Sequence, residues 1–165
     1  MTYLLGDWDE CVPLRNSNWE FRFPPSIKKL TLKMYCLPWS EISVIQELPN
    51  LEVLKLDRSA FTGDEWNMGD GVFPNLKYIR LRGLNIKRWN ASSDHFPHLE
   101  NLVVQGCEHL EEIPADFVNI LTLKMIEVSG CKLSVETSAR EIYNEQLEYG
   151  NEELKILTRD NDPDK

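Results

Sequence analysis

The sequence lacks the features that mark membrane, secreted and nucleic-acid-binding proteins. No apolar stretch in its 165 residues is long enough to cross a bilayer. Residues 1–15 have neither the positively charged start nor the continuous apolar region of a signal peptide. The 18 lysines and arginines form no basic block and are outnumbered by 27 acidic residues, which gives a net charge of −9. This composition argues against nucleic acid as a partner.

Motifs for catalysis and for cofactors are also missing. The chain has no G-x-x-x-x-G-K phosphate loop, and its carboxylates are scattered without an arrangement that suggests an acid and a base. His95 and His98 lie three residues apart, with Cys107 and His109 further on, but no second close pair completes four metal ligands. We therefore predict a protein that is not an enzyme, with no cofactor, metal or small-molecule substrate.

Four cysteines are present, at positions 11, 36, 107 and 131. Without a signal peptide, an even number of cysteines is weak evidence for disulfides. Cys107 and Cys131 occupy the same position of two successive repeats (described next), where a small buried group closes a turn. Their side chains point the same way, which suits disulfide geometry poorly. We predict reduced, structural thiols.

The sequence is dominated by a repeated unit in which apolar residues recur at every second position near the centre. "FPHLENLVVQGC" begins at Phe96, and similar units begin at Pro24, Leu48, Phe73 and Ile120. The first Leu or Ile after each opening dipeptide recurs every 23 to 25 residues, at Ile27, Leu51, Leu76, Leu99 and Leu123. A period of this length with an L-x-x-L-x-L-x-x-C head is the signature of leucine-rich repeats.

The repeat pattern predicts an α/β fold, a leucine-rich-repeat solenoid with a parallel β-sheet on its concave face and a C-terminal capping helix. Strands are expected near residues 28–32, 52–56, 77–81, 100–104 and 124–128, with alternate side chains directed inward. The return half of each coil is anchored by two apolar columns. One contains Trp66, Trp89 and Ile113, and the other Phe73, Phe96 and Ile120. The tryptophans could instead form a ligand cage, but their strict register favours stacked core.

The ends of the chain differ from the repeats. Residues 1–23 fit no repeat, and we expect an irregular segment that serves as an improvised cap. About five repeats fill residues 24–133. Residues 134–157 should form a C-terminal cap with a helix from Val135 to Glu148, Ser134 as its N-cap and a further strand. Val135, Ala139, Ile142, Tyr143 and Leu147 would form the inner face of the helix. Residues 158–165 should be a frayed tail.

Outward positions of the predicted strands suggest a binding surface. In the first three repeats they place five cations on one concave strip, within a Debye length of one another. Such a strip would favour an acidic protein partner, with an aromatic anchor beside the cations. The predicted contact residues are Lys29, Lys33, Lys55, Tyr78, Arg80 and Arg82. The alternative is a solvated face whose cations only keep the sheet soluble.

Several runs carry a family resemblance. "LPNLEVLKL", "FPNLKYIRLRGLNIKRW", "FPHLENLVVQGCEHLEEIP" and "SVETSAREIYNEQLEYGNEELKI" resemble the C-terminal repeats of plant intracellular immune receptors. The most similar group is the coiled-coil NLR disease-resistance proteins of the late-blight-resistance type in the nightshade family. The resemblance implies a non-catalytic protein–protein interaction module for effector recognition and autoinhibition. It also implies a cytoplasmic location, with peripheral membrane association as part of a receptor complex.

In that family the partners would be a pathogen effector, a host protein or the nucleotide-binding domain of the parent receptor. The coiled coil, the nucleotide-binding domain and the upstream repeats are absent from this sequence, so nucleotide binding cannot be assigned to any residue here. We expect a fragment or a truncated form of such a receptor.

Two other hypotheses stay open. An extracellular leucine-rich-repeat receptor fragment would carry a glycine-proline return segment, regular sequons and flanking cysteine pairs, of which the chain shows no pattern. Its one formal sequon starts at Asn90. A substrate-reading repeat domain of a ubiquitin ligase would follow an F-box-like helical segment, and none precedes these repeats.

Overall fold

The computed structural model describes residues 23–159 and the backbone of residues 2–4. Seven strands form the main sheet: β1 (Thr2–Leu4), β2 (Lys29–Lys33), β4 (Val53–Asp57), β7 (Tyr78–Arg82), β9 (Asn101–Gln105), β10 (Met125–Ser129) and β11 (Lys155–Arg159). Two small sheets pair β3 (Leu37–Pro38) with β5 (Phe61–Thr62) and β6 (Glu65–Asn67) with β8 (Arg88–Asn90). The helices are α1 (Ser43–Gln46) and α2 (Leu133–Glu148), with 3₁₀ turns at Trp39–Ile42, Ser93–His95 and Ala115–Asn119.

The main sheet confirms the predicted solenoid. Its strands follow chain order, β1-β2-β4-β7-β9-β10-β11, and every neighbouring pair is parallel. Each coil therefore contributes one strand to the sheet, and this strand pairs with the strand of the preceding coil. Equivalent residues of successive repeats lie opposite one another, as Leu54, Ile79 and Leu102 do across β4, β7 and β9. This register aligns the inward side chains of successive repeats in columns through the core.

The strand bounds differ slightly from the predicted ones. Each of the five observed strands starts and ends one residue later than predicted. Its later end reflects pairing that continues through the residue after the last inward side chain. The Gly83 amide, for example, donates to the Gln105 carbonyl at 2.8 Å, so Arg82 stays within the ladder.

Both chain ends add a strand to those of the repeats. The expectation of an irregular segment over residues 1–23 is wrong for Thr2–Leu4, which pairs with Thr31–Lys33 in β1. The predicted cap over the first coil otherwise falls on residues outside the described part of the chain. At the other end the predicted further strand is present, but it runs through Arg159 and so takes two residues from the predicted tail.

The core follows the predicted columns. The inward residues of the five repeats are buried, and Trp66, Phe73, Phe96 and Ile113 are at most 1% exposed. The Trp66 and Trp89 rings stack with centroids 5.1 Å apart, and Trp39 continues the stack 4.7 Å from Trp66. These separations match the spacing of about 4.8 Å between strands, so the rings repeat with the coils. A ligand cage would need accessible ring faces, so the tryptophan column is core.

The turn after each main strand requires a left-handed backbone. Gly83, Gly106 and Gly130 adopt φ values of 64°, 62° and 64° at this position. The first two repeats place Met34 (φ 64°) and Arg58 (φ 26°) there instead. A residue with a side chain is strained in this conformation, so the first two turns are less favourable than the later ones.

Helix α2 closes the C-terminal end of the core, with two differences from the predicted cap. Its N-cap is Lys132 rather than Ser134, and the Lys132 side chain makes no capping bond. Leu147, expected on the inner face, is 38% exposed, whereas Gln146 is fully buried.

Gln146 takes the inner position because the preceding 3₁₀ turn presents carbonyl groups that need a donor. Its Nε2 donates to the carbonyls of Phe117, Val118 and Ile120 at 3.2, 3.1 and 2.9 Å. Its Oε1 accepts from Asn151 at 2.7 Å. A leucine at this position would remove all three hydrogen bonds. The carbonyls of Phe117 and Ile120 also accept from backbone amides, so the Val118 carbonyl would lose the most.

The cysteines divide into two groups. Cys107 and Cys131 are free thiols, as predicted, and burial raises the pKa of Cys107 to about 12 and also raises the pKa of Cys131. Cys36 is disulfide-bonded, so the prediction of a reduced thiol is wrong at that position.

Within residues 2–4 and 23–159 no helix is long and apolar enough to span a membrane.

Candidate interaction surface on the concave face

The concave face is formed by the outward positions of the main strands. In β2, β4, β7, β9, β10 and β11 the first, third and fifth residues point away from the core, because side chains alternate along a strand. The strand register aligns these residues in three rows across the sheet. They are Lys29, Val53, Tyr78, Asn101, Met125 and Lys155; Thr31, Lys55, Arg80, Val103, Glu127 and Leu157; and Lys33, Asp57, Arg82, Gln105, Ser129 and Arg159.

All six predicted contact residues lie on this face, but two of the cations share a buried carboxylate. Arg80 contacts both oxygens of Asp57, with Nη2 2.7 Å from Oδ2. Arg82 Nη2 lies 2.8 Å from the same oxygen. The Asp57 side chain is only 4% exposed, against 18% for Arg80 and 44% for Arg82. Asp57 lies at an outward position of β4, yet the two arginines bury its side chain.

The shared carboxylate changes what the two arginines can do. One negative charge offsets one of the two positive charges, and the hydrogen bonds fix the orientation of both guanidinium groups. Arg82, nearly half exposed, is the arginine that a partner can reach. The two arginines therefore act as a rigid pair with a single net charge rather than as two independent cations.

Lys55 and Tyr78 also form a unit. The Lys55 Nζ lies 5.8 Å from the centroid of the Tyr78 ring, within the range of a cation–π interaction. Both side chains are half-buried. The predicted aromatic anchor, Tyr78, thus lies beside a cation. That cation, Lys55, already covers the ring of Tyr78.

The remaining predicted cations lie on β2. Lys33 is half-buried and stands opposite Asp57 in the ladder, and Lys29 is exposed at the start of the strand. The six residues are therefore together on one surface, and their role in binding stays a prediction.

The sequence placed the cations on the first three repeats only, whereas β11 extends the basic surface to the C-terminal edge. Lys155 and Arg159, both exposed, continue the first and third rows. The three rows together hold seven basic side chains and two carboxylates, Asp57 and Glu127. A face with this surplus is unusual on a chain whose net charge is −9. Only the pairing of β11 with β10 reveals the added cations.

The centre of the face carries three apolar side chains. Val103 lies at an outward position of β9, yet it is only 4% exposed. Its neighbours in the row are Arg80 and Glu127, and side chains of that length shield the shorter valine. Met125 is half-buried in the next row, and Leu157 is 38% exposed.

The histidines show no metal site. The Ser92 amide donates to Nδ1 of His95 at 2.8 Å, so Nε2 carries the proton and donates to the Gly69 carbonyl at 2.8 Å. His95 thus links two successive coils. No group of three His, Cys, Asp or Glu side chains able to hold a metal occurs among the residues that the structure describes.

Sequence comparison finds curated plant relatives that include late blight resistance protein homologs of Solanum demissum. One homolog is 42% identical over 137 residues, which is 81% of this chain and 11% of the relative. A second is 42% identical over 127 residues, 75% of this chain and 16% of the relative. A third is 44% identical over 116 residues, 68% of this chain and 9% of the relative. No protein-family model matches the chain.

The similarity covers most of this chain but little of each relative. The chain spans between 9% and 16% of the length of these three homologs. The matched region thus corresponds to a small part of a much longer protein.

Proposed function

Over four fifths of its length this chain belongs to the family of the late blight resistance protein homologs, and we propose that it acts in plant disease resistance as a non-catalytic, protein-binding repeat module. The names of the relatives support the role in disease resistance. The concave face supports protein binding, because it combines a surplus of cations with half-buried apolar side chains on a rigid sheet. A rigid surface that presents both charged and apolar side chains loses little conformational entropy when a partner binds.

The finer role follows from the resemblance. We propose that the module takes part in recognising pathogen effectors and in keeping the parent receptor inactive. Its partner is then an effector, a host protein or the nucleotide-binding domain of a coiled-coil NLR receptor, and its location is the cytoplasm, peripheral to membranes when the receptor complex is there. Autoinhibition needs a contact that forms within one receptor, so the nucleotide-binding domain is the first partner to test.

The test measures binding of the full chain to a purified nucleotide-binding domain of the coiled-coil NLR type by biolayer interferometry. A variant with Lys33→Gln and Lys55→Gln removes two charges from the concave face and leaves the Asp57 cluster intact. The control variant, with Lys87→Gln and Lys132→Gln, removes two charges elsewhere, and Lys87 loses only an exposed ion pair to Asp64. Each concave cation near an acidic partner contributes up to ~1 kcal/mol, so the concave variant should bind ~10-fold more weakly.

Comparison of the two variants distinguishes binding through the concave face from a general effect of net charge. Weaker binding by the concave variant alone, with more effect at low salt, supports the proposal. Equal weakening of both variants, or no binding by the unchanged chain, contradicts it.

One observation favours the extracellular alternative. Cys36 is disulfide-bonded, and structural disulfides persist in oxidising compartments. The sequon residue Asn90, by contrast, uses its side-chain amide to bond Asn67 on the neighbouring coil. Alkylation of the protein in freshly disrupted plant tissue, followed by mass spectrometry of the Cys36 peptide, decides between the compartments. An alkylated Cys36 supports the cytoplasm, and an oxidised Cys36 with a glycan on Asn90 supports the extracellular hypothesis.

A further inference from the structure

The concave cations form two separate groups. The first lies on β2, β4 and β7 and contains the predicted cations Lys29, Lys33, Lys55, Arg80 and Arg82. The second lies on β11 and contains Lys155 and Arg159. The strands between them, β9 and β10, present Asn101, Val103 and Gln105, and Met125, Glu127 and Ser129. We call the two groups the N-terminal pole and the C-terminal pole.

The surface between the poles mixes polar and apolar side chains, and its accessible apolar groups are Met125 and Leu157 at the edge of the C-terminal pole. Val103 on β9 and Leu157 on β11 flank Glu127 in the middle row, and Met125 lies in the row beside it. Leu157 is 38% exposed and Met125 is half-buried, so a partner can contact both side chains. Glu127 would repel a partner carboxylate here. Met125 and Leu157 therefore offer an apolar contact within the face, and the poles suit carboxylates.

The strand spacing sets the distance between the poles. Neighbouring strands lie about 4.8 Å apart, so β7 and β11 are separated by three spacings, or about 14 Å. The separation of β4 and β11 is four spacings, or about 19 Å. A helix that rises 1.5 Å per residue covers about 19 Å in 13 residues. Carboxylates in its first and last turns would reach both poles at once.

We propose that the concave face is a two-pole site for an acidic amphipathic helix, with carboxylates near both ends and an apolar stripe between them. This inference rests on the proposed function and names the chemistry of the partner segment. The arginine pair fixed by Asp57 supplies a rigid N-terminal pole, and the exposed Lys155 and Arg159 supply the C-terminal pole. The apolar stripe packs on Met125 and Leu157.

The test uses three labelled helical peptides of equal length and charge, each held helical by a staple on the face opposite the stripe. The first has two glutamates at each end and leucines between them, the second has all four glutamates in its first half, and the third has serines in place of the leucines. Fluorescence polarisation with the full chain should show the first peptide binding at least ~5-fold more tightly than either of the others. Such a factor corresponds to two exposed charge contacts or to a partly buried leucine.

Two variants of the chain tie the preference to the C-terminal pole. Lys155→Gln with Arg159→Gln should abolish the preference for two-ended charge, and the control with Lys87→Gln and Lys132→Gln should keep it. Equal binding of the first and second peptides, or a preference that survives loss of the C-terminal pole, would overturn the two-pole site. Equal binding of the first and third peptides would overturn the apolar centre.

The peptide result separates this inference from the proposed function. If the peptides are distinguished as expected but the nucleotide-binding domain does not bind, the proposed partner is wrong and the two-pole site stands. If that domain binds and loss of Lys155 and Arg159 has no effect on it or on the peptides, the module function stands and the second pole fails.

Discussion

Replacing Asp57 by Asn tests the arrangement of the concave face most informatively, because stability and binding should change in opposite directions. The carboxylate is 4% exposed and holds two guanidinium groups, Arg80 at 18% and Arg82 at 44% exposure. An asparagine fills nearly the same volume but carries no charge. It would also turn an amide group toward one arginine, where two donors would face each other.

The expected loss of stability is moderate. Removing one partner of a buried ion pair costs about 3–5 kcal/mol. Both arginines can recover part of their hydration, so we expect about 2 kcal/mol for Asp57→Asn. In a domain of this size that corresponds to a fall in Tm of about 6 °C.

The assay is thermal and urea unfolding of both proteins, with Glu100→Gln as the control. Glu100 pairs with Lys124 at 3.4 Å, and its side chain is 33% exposed, so its loss should cost less than about 0.5 kcal/mol. Asp57→Asn should also bind the two-ended acidic peptide more tightly, because the face loses one of its two carboxylates. Equal stability of Asp57→Asn and Glu100→Gln would refute the shared-carboxylate cluster, and unchanged peptide binding would refute its electrostatic role.

Three further changes test other parts of the fold. Met34→Gly should stabilise the chain by about 0.5–1 kcal/mol in urea unfolding, because the left-handed turn suits glycine; a loss would mean that Met34 packing outweighs the strain. Gln146→Leu should cost about 2–3 kcal/mol, because it removes the three hydrogen bonds from Gln146 to carbonyls of the 3₁₀ turn, and a neutral result would show that water replaces the amide. Asp116→Asn should lower Tm at pH 7 and lower it less at pH 3. The Ser93 amide and side chain lower the pKa of Asp116 below its usual value, so the stability that this carboxylate adds is present above about pH 4 and lost as pH falls through the lowered pKa. A constant difference in Tm from pH 7 to pH 3 would contradict this assignment.

The repeating part of the fold could be predicted from the sequence, because one pattern of inward leucines recurs in a fixed register. Periodic burial determines which side of a strand faces the core, so Leu54, Ile79 and Leu102 could be placed without a structure. The pairing of the additional strands could not be found this way. Thr2–Leu4 shows no repeat period, and β11 follows a helix rather than the usual return segment.

The binding surface was predictable only in outline. Alternation placed Arg80 and Arg82 on the concave face, but it could not show that Asp57 lies beneath them, since both arginines reach across from the next strand. Likewise the burial of Val103 depends on the length of its neighbours in other repeats. Side-chain contacts between strands set these features, and a pattern read along one strand does not contain them.

The proposed function depends most on one property, the binding of an acidic protein partner by the concave face of the repeats. Zero-length carbodiimide crosslinking of the chain to the nucleotide-binding domain, with mass spectrometry of the linked peptides, tests it most directly, because it joins lysines only to carboxylates in contact with them. Binding through the concave face should give crosslinks at Lys33, Lys55 and Lys155. Crosslinks confined to Lys87, Lys124 and Lys132, which lie off the three concave rows, would contradict it.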